Sequence, residues 1–303
     1  SGAHIIKHQT HIVTDEMSSE ARKKKIGYIG TSIYDLMEKC SLNERDELEL
    51  KNYTEKLGSI FISTPFSRAA VDRLVKFKVP AFKIGSGECN NFPLIEYICK
   101  FKKPIILSTG MNNLDDIKKA VQIIEKNKIQ YAILHTTNIY PTPYKLVRLG
   151  ALNELKKKFN NAIIGLSDHS KSNLACLGAI ALGASIVERH FTDSLKRRGP
   201  DISNSMDPKA LKELSECSKI MKMMRGGKKE TIKEEDVVRN FAFASVVSIK
   251  KIKKGDKFNK KNIWVKRPGG GDFHARDYKK ILNKKAIKDI PENRQLKKTD
   301  IYR

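Results

Sequence analysis

Short apolar runs rich in Val, Ile and Phe recur along the chain, at residues 4–10, 60–64, 81–87, 104–110, 131–137, 162–168 and 185–191. From the second run onward the intervening segments carry apolar residues at helical spacing; in 114–128, Ile117, Val121 and Ile124 form a stripe opposed by lysines. The alternation predicts βα units. Strands that are apolar almost without interruption are covered on both faces, as in a parallel sheet. Right-handed crossovers then leave two architectures, an open doubly wound sheet and a closed (β/α)8 barrel.

The polar residues favour the barrel. Six of the seven runs end in chemistry: Lys7 and Gln9, Thr64, Ser86 and Glu88, Ser108, Ser167 and His169, and His190. The remaining run continues into Asn138 and Tyr140. A barrel collects its site from many strand ends on one face, whereas an open sheet uses a crevice near one switch point. The barrel needs eight strands and the chain opens almost inside one, so the expected fold is α/β, a TIM barrel lacking its first βα unit. It is expected over 1–222. A glycine- and charge-rich linker, 223–236, leads to a second small domain, 237–303, whose strand-like pieces at 241–249 and 262–271 are too short for further βα units.

Composition narrows the function classes. With 303 residues and 40% hydrophobic content the chain can bury a sizeable core. Apolar stretches such as 174–187 fall short of the roughly 20 residues that span a bilayer, and the N-terminus has no leader pattern. A cytoplasmic protein with no membrane partner is expected. The five cysteines, Cys40, Cys89, Cys99, Cys176 and Cys217, are scattered without a Cys-x-x-Cys pair, which predicts reduced core thiols. The formal charge of +25 raises nucleic-acid binding, but the lysines lie along almost every predicted helix and through 248–262, with no recognition motif and no interleaved aromatics. No specific nucleic-acid partner is expected.

Two histidines close adjacent runs, in IGLSDHS (164–170) and VERHF (187–191). A lone strand-end histidine is more often a hydrogen-bonded structural residue. Two on neighbouring strand ends, His169 beside Asp168 and His190 beside Glu188 and Arg189, point to a shared divalent cation. Two neutral nitrogens leave coordination positions open, which suits Lewis-acid catalysis on a bound carbonyl. Lys7, Lys83, Ser86, Ser108 and Ser167 supply cationic and hydroxyl donors at the same rim. The glycines of KIGSGE and LSTGM are ordinary turn chemistry or a close approach to an anion. Lysines ending buried strands need an anionic partner, because an unpaired buried ammonium is costly. A phosphate-bearing ligand is expected.

The stretches FKIGSGE, ILSTGMN, TNIYPTP, IGLSDHS, VERHFT, RRGPDISNSMDP and WVKRPGGG occur in this order. On them the chain resembles the sialic acid (N-acetylneuraminate) synthase family over nearly its whole length, with a C-terminal segment that resembles the antifreeze-like β-clip (SAF) domain. The resemblance implies a transferase that condenses phosphoenolpyruvate with an N-acetylated amino sugar such as N-acetylmannosamine, giving a nine-carbon 2-keto acid and phosphate. It implies that Lys7, Thr64, Lys83, Ser86, Ser108, Asn138 and Ser167 hold phosphoenolpyruvate, and that His169 and His190 bind Mn2+ or Mg2+. Gln9, Glu88, Tyr140, Asp201 and Arg267 would hold the open-chain sugar, with Lys7, Glu88, His169 and His190 as the catalytic set. Arg267 would reach a partner's site, which implies a domain-swapped homodimer.

The family's first strand motif carries a glutamate that nothing before Ser1 supplies, so an N-terminally truncated synthase is expected. Legionaminic and pseudaminic acid synthases share the same layout. A metal-dependent aldolase would use similar lysines and histidines, and a non-catalytic carbohydrate binder would use only the C-terminal domain.

Overall fold

All seven apolar runs form strands of one parallel sheet in the computed structural model, which describes residues 1–24 and 31–302. They are β1 (Ile5–Thr10), β2 (Ile60–Pro65), β3 (Phe82–Ile84), β4 (Ile105–Ser108), β5 (Tyr131–Thr136), β6 (Ile163–Asp168) and β7 (Ile186–Arg189), paired in sequence order with β1 and β7 at the edges. The sheet curls: Lys7 of one edge strand and Glu188 of the other stand 3.9 Å apart. Among the described residues the seven strands form a curled, TIM-type sheet.

Helices cover the outer face. α1 (Val13–Glu16), α2 (Ile33–Cys40) and α3 (Glu44–Lys56) follow β1. One helix follows each later strand: α4 (Arg68–Lys76), α5 (Phe92–Cys99), α6 (Leu114–Lys126), α7 (Ala151–Lys158), α8 (Leu174–Ala181) and α9 (Pro208–Met224). Their starts are written locally: Asn43, Ser67, Asn113 and Asp207 each accept a backbone N–H of the first turn, and Pro208 occupies the position where its missing donor costs nothing. Each helix then presents one apolar face. Ile117, Ala120, Val121 and Ile124 of α6 are buried while the lysines between them are not. The core between helices and sheet, with Phe61, Leu74, Phe82, Ile95 and Leu107 at its centre, is packed tightly enough that Leu74→Ala costs about 2–5 kcal/mol.

The chain divides into two compact units between Gly226 and Gly227. The second holds α10 (Asp236–Ala242), the antiparallel pair β8 (Ser245–Ser248) and β9 (Ile263–Lys266), and α11 (Tyr278–Ile281). Its core is apolar, built from Val246, Ile252, Phe258, Ile263, Ile290 and Leu296. Residue 303, the last of the expected small domain, lies outside the described residues.

Two expectations are corrected. The strand-like run 241–249 is a strand only over Ser245–Ser248, because only those residues find partners on β9; Phe241 belongs to α10 and stands exposed. The cysteines are free, but only Cys89, Cys99 and Cys176 are buried; Cys40, the last residue of α2, is exposed, and Cys217 is half-buried on α9, a helix that buries Leu214. Among the described residues no helix is long and apolar enough to cross a membrane.

Candidate functional site

Strand register sorts the motif residues onto two faces. Side chains alternate along a strand, and parallel partners share a face. Gln9 is level with Thr64, Lys83 with Ile106, and Ser167 with Glu188, all on the concave inner face. Asp168 is level with Arg189 on the outer face. The alternation of SDH and ERH thus sends Ser167, His169, Glu188 and His190 inward and the ion pair outward.

Glu188 is the hub of the inner face. Its Oε1 accepts a hydrogen bond from Ser167 Oγ at 2.8 Å and lies 3.9 Å from both Lys7 Nζ and Lys83 Nζ. Lys83, 2% exposed, also donates to Ser108 Oγ at 2.6 Å. Burial alone would raise the Glu188 carboxyl; the two ammonium groups and the Ser167 hydroxyl override it and bring it down to about 2. Burial brings Lys83 down to about 8 against the pull of Glu188, with Lys7 adding to the lowering. Two cations share one carboxylate, so the cluster keeps a surplus positive charge facing the rim, the condition for holding an anion.

Beside the cluster, the His169 and His190 rings lie 5.3 Å apart, with Tyr140 4.2 Å from the first. His169 Nδ1 donates to Thr137 O at 2.9 Å, which leaves Nε2 as the lone-pair nitrogen; a metal-binding histidine is held in this way. Burial dominates both rings and lowers them, His190 to about 4 even though Asp201 pulls the other way, so both are neutral at pH 7. Asp201 Oδ2 is 3.4 Å from His190 Nδ1. Among the described residues no group of three or more His, Cys, Asp or Glu has metal-holding geometry. Two neutral imidazoles fit a divalent cation that takes its remaining ligands from elsewhere.

The other predicted residues surround this centre unevenly. Ser86 Oγ accepts from Gly110 N at 3.0 Å. A Cβ on Gly110 would fall 1.7 Å from Asn138 Oδ1, so only glycine admits the Asn138 side chain here. Asn138 Oδ1 and Thr64 Oγ1 are buried without a hydrogen-bond partner, and unpaired polar atoms of this kind in a cleft fit an absent ligand. Glu88 is half-buried and accepts from Asn91 Nδ2 at 2.6 Å; burial raises its carboxyl, nearby Glu16 adds to that, and Asn91 opposes it. Gln9 is exposed on β1. Arg267 is exposed at the end of β9 in the second unit.

Glu188 was absent from the expected site, and neither Asp168 nor Arg189 had a role there. The signal that could have found them is the alternation itself, since a charged residue two positions before an inward histidine shares its face.

Residues 1–230 match the NeuB family and residues 243–301 the SAF domain. The chain is 36% identical to the N,N'-diacetyllegionaminic acid synthase of Campylobacter jejuni, covering 97% of this chain and 90% of that one. It is 32% identical to the pseudaminic acid synthase of the same species, covering 99% and 88%. The crystal structure of the N-acetylneuraminic acid (sialic acid) synthetase of Leptospira borgpetersenii serovar Hardjo-bovis, in complex with citrate, superposes with a TM-score of 0.70 at 29% identity, covering 78% of this chain and 79% of that one.

Proposed function

This chain belongs to the NeuB family, and from that membership we propose that it joins phosphoenolpyruvate to the open-chain form of an N-acetylated amino sugar, N-acetylmannosamine or a close analogue. The observation that carries the reading is the convergence of Lys7, Lys83, Ser108, Ser167 and Glu188 beside two neutral histidines. In this reaction C3 of phosphoenolpyruvate bonds to the sugar aldehyde carbon, water adds at C2, and phosphate departs with the C2–O bond broken, leaving a nine-carbon 2-keto acid.

Lys7 and Lys83, with Thr64, Ser86, Ser108, Asn138 and Ser167, hold the phosphate and carboxylate of phosphoenolpyruvate, and the preorganised cations stabilise the charge that collects on the departing phosphate. Gln9, Tyr140 and Asp201 orient the sugar. Glu88, whose carboxyl burial raises, is suited to give a proton to the oxygen that becomes the new hydroxyl. A divalent cation, Mn2+ or Mg2+, on His169 and His190 supplies polarisation of the aldehyde when bound. The acetamido end is met by the partner subunit's Arg267 in a homodimer, so mixing Arg267→Ala and Lys83→Met proteins should recover part of the lost activity by subunit exchange.

The test is phosphate release from phosphoenolpyruvate with Mn2+, comparing N-acetylmannosamine, its diacetamido-trideoxy analogue and no sugar. Sugar-dependent release is expected. The likeness to a diacetyllegionaminic acid synthase supports the diacetamido analogue as a second candidate. Release with neither sugar from folded protein would overturn the reading, and product from pyruvate without phosphate release would replace it with an aldolase.

A further inference from the structure

On the outer face, directly behind the two histidines, Asp168 and Arg189 form an ion pair whose side chains are both 1% exposed. Arg189 Nε is 3.3 Å from Asp168 Oδ2, off the angle of a hydrogen bond, while the rest of the guanidinium reaches the loop between β6 and α8 and the turn beyond Asp201. Nη1 donates to Asn173 Oδ1 at 2.7 Å, just before α8. Nη2 donates to Ser170 O at 2.6 Å, in the loop that His169 opens, and to Asn204 O at 3.5 Å, in the turn that follows Asp201. Asp168 closes the ring from its side, accepting from Ser170 N at 3.0 Å and Ser170 Oγ at 2.9 Å. Two more backbone bonds fasten the same pieces: Thr142 N to His169 O at 2.9 Å, and Met206 N to His190 O at 2.8 Å.

We propose that the Asp168–Arg189 pair is a positioning clamp that holds His169, His190 and the Asp201 turn in register, an inference that rests on the metal-dependent synthase reading. Each clamp residue neighbours a histidine in sequence, so a shift of either outer side chain turns the adjacent imidazole. The guanidinium's planar fork reaches all of these acceptors at once, which a lysine ammonium on a flexible stem cannot do. A charge pair this deep adds little stability by itself, and the work of such a pair is to exclude alternative arrangements.

The experiment compares full-length wild type, Arg189→Lys, Asp168→Asn and His169→Ala, each checked for fold by circular dichroism. Mn2+ affinity is read from the free-ion paramagnetic resonance signal, and the imidazole tautomers from nitrogen-15 spectra of the metal-free protein. In wild type, His169 is expected as a single tautomer protonated on Nδ1. Arg189→Lys should show mixed tautomers and a Mn2+ Kd raised about 10–100-fold, the usual size of an outer-layer effect on a metal site. Asp168→Asn, whose amide oxygen can still accept from Ser170 N, should give a smaller rise in Kd and decides the matter if Arg189→Lys does not fold. A folded variant that keeps the wild-type tautomer and binds Mn2+ within about twofold of wild type overturns the clamp. If wild type binds Mn2+ no better than His169→Ala, the metal reading fails instead, and the tautomer spectra alone judge the clamp.

Discussion

Two carboxylates on opposite faces of the same sheet, Glu47 buried and Glu188 half-buried at the rim, respond to their surroundings in opposite directions. Glu188, on the inner face, is brought down to about 2 by two lysines and a serine. Glu47, on α3 behind β1 and 0% exposed, is raised, because burial outweighs the hydrogen bonds and charge it receives from Thr10 and Arg73. Glu47 is held by outward-facing groups of β1 and β2 and by α4: Thr10 Oγ1 donates to it, Thr10 pairs with Ser63 at 2.7 Å, and Arg73 Nη1 donates to it at 3.1 Å while also donating to Leu42 O. Every partner there is protein, and the group ties β1 and β2 to α3 and α4. Around Glu188 the cations outnumber the acid and face an open rim. Full or partial burial is common to both; the ratio of cations to carboxylate separates a strut from a site.

The comparison is broken most forcefully at Lys83. Replacing it with Met removes a buried ammonium that the protein core does not need, so the fold should persist while phosphate release falls by about 10²–10³-fold. A comparable loss of folding stability instead would make the inner cluster a strut like the outer one. Glu47→Ala should do the reverse, lowering the unfolding free energy by about 3 kcal/mol in urea titrations because Arg73 is left buried without its partner. Exchanging Glu47 and Arg73 together for Leu and Met should recover most of that loss.

Glu188→Gln sharpens the contrast further. The rim keeps both lysines, so phosphoenolpyruvate should still bind, and kcat/KM should fall by about 10-fold as the lysines lose their anchor. Wild-type activity should decline in alkali as Lys83 gives up its proton near about 8. Glu188 is what pulls that value up, so in the variant the alkaline limb should move to lower pH; an unmoved limb would assign it to another group.

The smallest effect is in the pH dependence of stability. Glu188 binds its proton less tightly folded than unfolded, so its contribution grows as pH rises from about 2 to the ordinary value of 4.5 and is lost in acid. Glu47 binds its proton more tightly folded, so its contribution is greatest in acid and declines as pH rises past 4.5. Glu188→Gln should therefore flatten the acid limb of the unfolding curve, and Glu47→Gln should remove a decline above it, both read from urea unfolding across a series of pH values.

Much of this was legible from local pattern. The seven apolar runs became the seven strands because a strand buried on both faces needs an apolar run and little else. Lys83 and the two histidines were legible as chemistry, since charged or basic groups ending apolar runs are too costly to be incidental. The strand over 241–249 was overestimated because α10 and β8 share similar apolar content, and only β9 decides where pairing begins.

The sequence by itself determined where the seven strands of the parallel sheet fall, which helix faces are apolar and which polar groups end the apolar runs, because those follow from periodicity within a few residues. Only the tertiary structure decided who meets whom. The curl of the sheet brings Lys7 and Glu188 from its two edges to 3.9 Å, and that contact sets the charge of the rim. Behind it, Arg189 pairs with Asp168 and joins the loop after β6, through Ser170 and Asn173, to Asn204 in the turn beyond Asp201, a link that no local pattern predicts. Pairings between distant segments depend on register and curvature, and no single stretch of chain encodes either.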